Sequence, residues 1–266
     1  MLFPLPLGKV TVLFGDPDLG KSLITIFMAA QTSRGEAWPD RPDIPNPIGG
    51  VVILSAEDDP QDTIRPRLDA AGADVSRIGL LKGVRTRDPG TDAEIDAHFN
   101  LATDLVALEE AIKRTPDCRL VIVDPISAYL GGTNSHRNAE VRGVLAPLAD
   151  LAARRGVAMV GVTHVTKDER SKALYRATGS LAFIAAARGA WLVVEDKNHP
   201  QRRLMLPAKM NLAKQPPGLA YKVRATPVQG VQDQPFVAWD PDPVHITADE
   251  AIAAEGGSGG GVTALA

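Results

Sequence analysis

The stretch GDPDLGKS runs from Gly15 to Ser22, between the apolar run VTVLF and the segment LITIFMAAQ. The run before it is typical of a buried strand, and the segment after it is typical of a helix. The octapeptide is therefore predicted to be the turn between them. Its spacing, Gly-x-x-x-x-Gly-Lys-Ser, matches a phosphate-binding loop, in which backbone N–H groups and a helix N-terminus surround phosphate oxygens. The alternative is an ordinary glycine-rich turn before a helix.

The loop pattern assigns a task to each residue type. Lys21 is expected to reach the β- and γ-phosphates of ATP, and the Ser22 hydroxyl is expected to bind Mg²⁺. The predicted nucleotide-binding residues are Gly15, Asp16, Pro17, Asp18, Leu19, Gly20, Lys21, Ser22 and Leu23.

Short runs rich in Val, Ile and Leu recur along the chain and predict strands buried on both faces. These runs are Val10–Phe14, Val51–Leu54, Ile78–Leu81, Leu120–Val123 and Val157–Val162. Helical patterns alternate with them at Leu23–Ser33, Pro60–Ala71, Leu101–Arg114 and Asn138–Arg155, the last with a kink or break expected at Pro147. This alternation predicts a three-layer α/β/α domain with a mostly parallel central sheet.

The pattern changes after about residue 188. The segments WLVVED, RRLMLP, AYKVRA and PFVAWD predict short antiparallel strands at one edge of the sheet. We expect residues 1–240 to form one domain, and residues 241–266 to form a short helix, Ala248–Glu255, and a flexible Gly-rich tail.

The bulk composition narrows the class of protein. The net charge of −3 argues against a general nucleic-acid coat, so any contact with DNA would be local. The single cysteine, Cys118, excludes an internal disulfide and a zinc cluster. No apolar run is long enough for a membrane span, and the N-terminus does not resemble a signal peptide. We expect a cytoplasmic protein that makes no membrane contact.

Two acidic residues follow predicted strands. Asp124 ends the run RLVIV and is expected to hold Mg²⁺, although it could simply end a strand before a turn. The next residue, Pro125, has no carboxylate that could act as the base beside Asp124. A carboxylate from elsewhere in the chain must therefore activate the attacking water. Glu57 follows the second strand, and ligand sites lie at the carboxyl ends of parallel strands, so Glu57 is the predicted general base. Asp58 and Asp59 are expected to cap a helix or to be surface charges.

His164 ends the fifth predicted strand at this same edge. We expect it to sense the γ-phosphate, since function concentrates where such strands end. The alternative is a histidine with a purely structural role.

Taken in order, six segments of the chain resemble the RecA-like ATPases. The segments are GDPDLGKS, LSAEDDPQDTIRPRL, LVIVDPISAYLGG, VGVTHVTK, ATGSLAFIAAARGAW and PAKMNLA. The likeness is strongest to the RepA-type hexameric helicases and the AAA-domain family grouped with them. It spans roughly residues 8–225. It implies a RecA-like core that binds ATP and Mg²⁺, with Glu57 activating water, Asp124 at the metal and His164 linking the γ-phosphate to a DNA-facing loop.

The resemblance also implies a role in trans for Arg188, as an arginine finger that reaches the nucleotide of a neighbouring subunit. The alternative is a sheet-edge arginine that pairs with Glu195 or Asp196. In the family, the segment TKDERSKALYRATGS lines the channel of a hexamer. Its basic residues, predicted to contact single-stranded DNA, are Lys167, Arg170, Lys172 and Arg176. The alternative is that this segment is a solvated lid or a disordered loop.

Asp18 departs from the resemblance, because the family loop usually has glycine at that position. Backbone N–H groups, Lys21 and Mg²⁺ bind the phosphates, so Asp18 needs only a suitable backbone conformation. We expect a left-handed one, which Asp tolerates better than most residues, at a cost to nucleotide affinity of about 1 kcal/mol.

Three functions fit these residues. The first is a ring-forming, helicase-like ATPase motor on single-stranded DNA, in replication of a plasmid, phage or mobile element. The second is a nucleotide-gated regulatory ATPase that acts on a protein partner without unwinding. The third is a small-molecule kinase, which the position of Glu57 disfavours, because that residue is placed to activate water.

Overall fold

A computed structural model describes residues 5–87, 93–133, 138–164, 181–212, 214–228 and 231–256. The strands are β1 (Val10–Gly15), β2 (Gly50–Ser55), β3 (Ile78–Leu80), β4 (Val84–Arg87), β5 (Glu94–Ala97), β6 (Cys118–Asp124), β7 (Ala158–His164), β8 (Gly189–Glu195), β9 (Arg203–Met210), β10 (Leu219–Val228) and β11 (Val231–Trp239). The helices are α1 (Lys21–Arg34), α2 (Arg65–Ala70), α3 (Leu105–Arg114), α4 (Asn138–Arg155), α5 (Leu181–Ala186) and α6 (Ala248–Gly256).

Most of these strands form one sheet in the order β11-β10-β9-β8-β1-β7-β6-β2-β3. The strands from β8 to β3 run parallel, and β9, β10 and β11 extend the sheet in antiparallel fashion. The register pairs Gly15 with His164, and Ser55 with Asp124. The carboxyl ends of β1, β7, β6 and β2 therefore lie side by side at one edge of the sheet.

Helices cover both faces of the sheet, because alternate residues of each buried strand point to opposite sides. On β1, Val12 and Phe14 belong to a core that includes α3, α4, α5 and α6. Leu13 belongs to the opposite core, which includes α1 and α2. The predicted three-layer α/β class, with antiparallel strands at the C-terminal edge, is confirmed.

Several local predictions need correction. The segment WLVVED forms β8, which is parallel to β1 and antiparallel only to β9, because the chain crosses over through α5 before it turns back. The third predicted helix begins at Leu105 rather than at Leu101, since the Asp104 carboxylate accepts the Asn100 N–H and holds a turn there. The hairpin of β4 and β5 was not predicted. Pro147 lies within α4, so the helix is not broken there.

The C-terminal helix packs onto the same core as the sheet. Ala248, Ala251 and Ile252 of α6 are buried, and Val244 bridges to Gly218 just before β10. The division at residue 240 stays a prediction, and the Gly-rich tail from residue 257 lies outside the described residues. Within the described ranges, no helix combines the length and the apolar character that crossing a membrane requires.

Candidate nucleotide-binding site

The octapeptide forms the predicted turn between β1 and α1, and its glycines are required by the structure. A Cβ atom on Gly15 would lie 2.2 Å from the Val193 carbonyl oxygen of β8, so any side chain would collide with the backbone. Gly20 is the N-cap of α1 and has a φ of 82°, in the left-handed region. Asp18 has a φ of 63°, which confirms its expected left-handed conformation.

Lys21 projects into the loop at the first position of α1. Its side chain is buried, and its Nζ donates a hydrogen bond of 2.6 Å to the Asp16 carbonyl oxygen. Burial lowers the pKa of Lys21 to about 8, an effect that the nearby Asp124 carboxylate and other acids oppose. The ammonium group is thus still mostly protonated at neutral pH, and it is held at the mouth of the anion-binding turn.

Ser22 and Asp124 form a pair of oxygen ligands beside Lys21. Asp124, at the end of β6, is 9% exposed, and burial raises the pKa of its carboxyl to about 6. A hydrogen bond from Ser22 and the charge of Lys21 act in the opposite direction, while the neighbouring carboxylates Asp58 and Glu57 raise it further.

This donor set fits Mg²⁺, which prefers oxygen ligands and uses one or two protein groups together with phosphate and water. In the described part of the chain, no cluster of three or more His, Cys, Asp or Glu side chains could hold a metal by itself. Ser22 and Asp124 would therefore hold the ion together with a nucleotide. When bound, it would neutralise charge on the phosphates.

Glu57 differs from the two acids that follow it. Asp58 accepts a 2.9 Å hydrogen bond from Arg67 Nη1, and Asp59 caps the short helical turn Pro60–Ile64. The exposed Glu57 side chain has no hydrogen bond or ion pair with any described residue. Its charge acts on Lys21, Asp124 and His164, so it lies near all three. It is free to orient a water, and its role as general base stays a prediction.

His164 lies at the same edge, next to Gly15 across the β1–β7 pairing. Burial lowers the pKa of its imidazole, and the charge of Lys21 adds to this, whereas Glu57 and Asp18 oppose it. The net effect favours the neutral ring, which can both donate and accept a hydrogen bond. The structure thus brings the loop, Glu57, Asp124 and His164 together, and the sensor role of His164 stays a prediction.

Arg188 lies at the amino ends of β1 and β8, opposite the carboxyl ends that carry the loop. Its N–H donates to the Val10 carbonyl at the start of β1, whereas the loop begins at the other end of that strand, roughly 16 Å away at 3.3 Å per residue. The alternative pairing with Glu195 or Asp196 is wrong, since Arg188 precedes the start of β8, whereas Glu195 ends the strand and Asp196 follows it.

Other cations surround Arg188. Burial lowers the pKa of Lys209, and the charges of Arg188 and Arg142 lower it further, so the three cations are neighbours. Among the described residues, no carboxylate forms an ion pair with Arg188.

The four basic residues expected to contact DNA, Lys167, Arg170, Lys172 and Arg176, lie outside the described residues.

One contact to the loop was missed by the sequence analysis. The Tyr221 hydroxyl on β10 donates to the Leu19 carbonyl oxygen across a separation of 202 positions. No spacing or motif in the sequence predicts this hydrogen bond, because it depends on where the antiparallel strands pack.

In a comparison with protein families, the family model described as AAA domain matches residues 4–170, more than half of the chain. That range contains the loop, Glu57, Asp124 and His164, and it ends before Arg188 and β10. No match to the chain was found among curated proteins.

Proposed function

The chain belongs to the AAA-domain family, and from that premise we propose that it is a ring-forming ATPase that acts as a helicase-like motor on single-stranded DNA. Membership of this family supports nucleotide binding and ATP hydrolysis in general. The proposal adds an assembly in which each active site is completed by a neighbouring copy. By the resemblance to RepA-type helicases the ring is a hexamer, and the setting is replication of a plasmid, phage or mobile element.

The position of Arg188 carries this proposal. The side chain is exposed at the end of the sheet remote from its own loop, beside Lys209 and Arg142. An arginine there cannot reach the phosphates of its own subunit, but it suits the anionic site of another copy in a head-to-tail ring. A finger supplied in this way would neutralise charge that develops on the γ-phosphate.

Hydrolysis would then divide between two subunits. Lys21 and the loop N–H groups bind the phosphate chain, Ser22 and Asp124 hold Mg²⁺, and Glu57 orients the attacking water. His164 reports the γ-phosphate to the segment that follows β7. Six copies of that segment, with Lys167, Arg170, Lys172 and Arg176, would present a positive lining to a DNA backbone.

A subunit-mixing experiment tests the shared site. Lys21→Ala should lose nucleotide binding, and Arg188→Ala should bind ATP normally but hydrolyse it about 10³-fold more slowly. When the two inactive variants are mixed in equal amounts, about a quarter of the interfaces in a randomly mixed ring combine an intact loop with an intact arginine. ATPase activity should therefore reappear on mixing. Arg114→Ala, an exposed arginine at the end of α3, is the matched control and should behave like wild type.

The same assay separates the motor from the alternatives. Single-stranded DNA should stimulate the ATPase, and size analysis should show an ATP-favoured hexamer. A monomer with no response to DNA, or no recovery of activity on mixing, would refute the motor. Slow hydrolysis together with a captured protein partner would favour the nucleotide-gated regulator instead.

A further inference from the structure

Two parts of the chain that are far apart in sequence meet beneath the phosphate loop. The Tyr221 hydroxyl donates a hydrogen bond of 2.5 Å to the Leu19 carbonyl oxygen. Tyr221 is 0% exposed and Leu19 is 6% exposed, so water does not compete for this bond. Removing the hydroxyl would leave a buried carbonyl without its partner, which is more costly than losing a bond at the surface.

The bond determines the direction of a neighbouring donor. The peptide unit between Leu19 and Gly20 is trans, since among the described residues only the Asp124–Pro125 bond is cis. In a planar trans peptide the C=O and N–H groups point in opposite directions. The Leu19 carbonyl points to Tyr221 in the core, so the Gly20 N–H is directed away from the core.

The Gly20 N–H is available to a ligand. In the part of the chain that the structure describes, no backbone or side-chain group accepts a hydrogen bond from it. Gly20 is the N-cap of α1, where N–H groups without helical partners bind anions. This donor therefore stands where a phosphate oxygen is expected.

A second contact from the same strand supports the loop. Val223 lies two positions beyond Tyr221, on the same face of β10, and its Cγ2 is 3.5 Å from where a Cβ of Gly20 would lie. The turn around this peptide unit contains two left-handed residues, Asp18 and Gly20, with Leu19 between them. A left-handed conformation is less favourable for Asp than for glycine, and the contacts from β10 help to hold the turn in this shape.

Packing holds the tyrosine ring independently of its hydroxyl. Tyr221 pairs with Trp239 across the β10–β11 ladder, and their ring centroids are 5.2 Å apart. Phe27 of α1 also packs against Trp239, with their ring centroids 5.5 Å apart. A variant that keeps the ring and loses only the hydroxyl should therefore remain folded.

We infer that Tyr221 is a positioning residue for nucleotide binding: it holds the Leu19 carbonyl in the core and thereby points the Gly20 N–H at the phosphate chain. The inference rests on the proposed nucleotide-binding function and extends it to a strand outside the matched residues 4–170. The antiparallel strands β10 and β11 are thus part of the phosphate site as well as an extension of the sheet.

Tyr221→Phe tests this role by titration calorimetry with Mg·ATP and Mg·ADP. Both nucleotides carry a β-phosphate, so both dissociation constants should rise by the same factor, roughly two- to tenfold, which is the value of one net hydrogen bond. In the ATPase assay KM should rise with little change in kcat, because the bond orients a donor that holds substrate and transition state alike.

Val237→Ala is the matched control. Val237 is 6% exposed on β11 and belongs to the same core, but it has no hydrogen bond to the loop. It should lower the melting temperature and leave both dissociation constants unchanged. If Tyr221→Phe behaves like Val237→Ala, with lower stability and wild-type affinity, the positioning role is wrong while nucleotide binding stands. If the wild-type protein binds no nucleotide, the proposed function fails and this inference fails with it.

Discussion

Replacing Asp18 separates two ways in which an acid could weaken a phosphate loop. Asp18 is exposed and left-handed, with a φ of 63°. Asp18→Asn removes the charge but keeps a residue that also tolerates this conformation. Asp18→Gly removes the charge and the conformational cost together. Both variants should bind Mg·ATP more tightly than wild type.

The magnitude follows from charge and backbone geometry. A carboxylate roughly 8 Å from a Mg·ATP complex of charge about −2 is repelled in water by about 1 kcal/mol. Physiological salt screens more than half of this, which leaves about a twofold gain in affinity for Asp18→Asn. Asp18→Gly could gain up to about 1 kcal/mol more, or roughly fivefold, if the conformational cost falls on binding rather than on folding.

Titration calorimetry at low and high salt distinguishes the two contributions. The gain from the lost charge should be larger at low salt and should disappear at high salt, whereas a conformational gain should persist. Asp43→Asn is a suitable control, since Asp43 is an exposed acid in the segment between α1 and β2. It should bind Mg·ATP like wild type at every salt concentration.

A loss of affinity in Asp18→Asn, by more than about twofold, would refute this reasoning. It would mean that the carboxylate has a favourable contact in the nucleotide-bound state, such as a cation supplied by another subunit. An equal gain in Mg·ATP affinity for Asp18→Asn and Asp18→Gly would mean that the charge of Asp18 accounts for the whole effect and its backbone conformation for none of it.

Three further predictions concern stability and reactivity. Gly15→Ala should cost more than about 3 kcal/mol of unfolding free energy, measured by urea denaturation, because its Cβ would lie 2.2 Å from the Val193 carbonyl oxygen. Arg202→Met should cost about 2–3 kcal/mol, because it leaves the buried Asp196 carboxylate without a 2.9 Å hydrogen bond. Burial acts to raise the pKa of Asp196, but hydrogen bonds from a backbone N–H and from Arg202 hold it below its ordinary value. The stabilisation is therefore present above the unfolded pKa and is lost as pH falls through the folded pKa, so denaturation curves of wild type and variant should converge in acid. Burial raises the pKa of Cys118 to about 11, so iodoacetamide should label the native protein about 100-fold more slowly than the unfolded chain, as read by mass spectrometry.

Much of the candidate site could be predicted because it is built from local patterns. The strand, turn and helix around Gly15–Ser22 are contiguous, and each has its own signal in spacing and apolar runs. Asp124 and His164 could be placed because both end buried runs, and parallel strands bring their carboxyl ends to one edge. Asp18 could be expected to be left-handed because the family that the chain resembles usually has glycine there, and Asp tolerates that conformation better than most other residues.

Other features required the fold, since they depend on the order in which strands pack. WLVVED shows no local sign of whether it runs parallel or antiparallel to β1; the crossover through α5 decides this. That direction puts Arg188 at the amino end of β8, away from its own loop and away from Glu195.

The hydrogen bond from Tyr221 to Leu19 has the same origin. It joins residues 202 positions apart, so no periodicity in the sequence can report it. The sequence by itself determined the class of fold and the residues that line the phosphate edge, because these follow from short-range patterns. Only the tertiary structure decided that Tyr221 supports the loop from the core and that Arg188 lies away from its own loop, because long-range packing sets both.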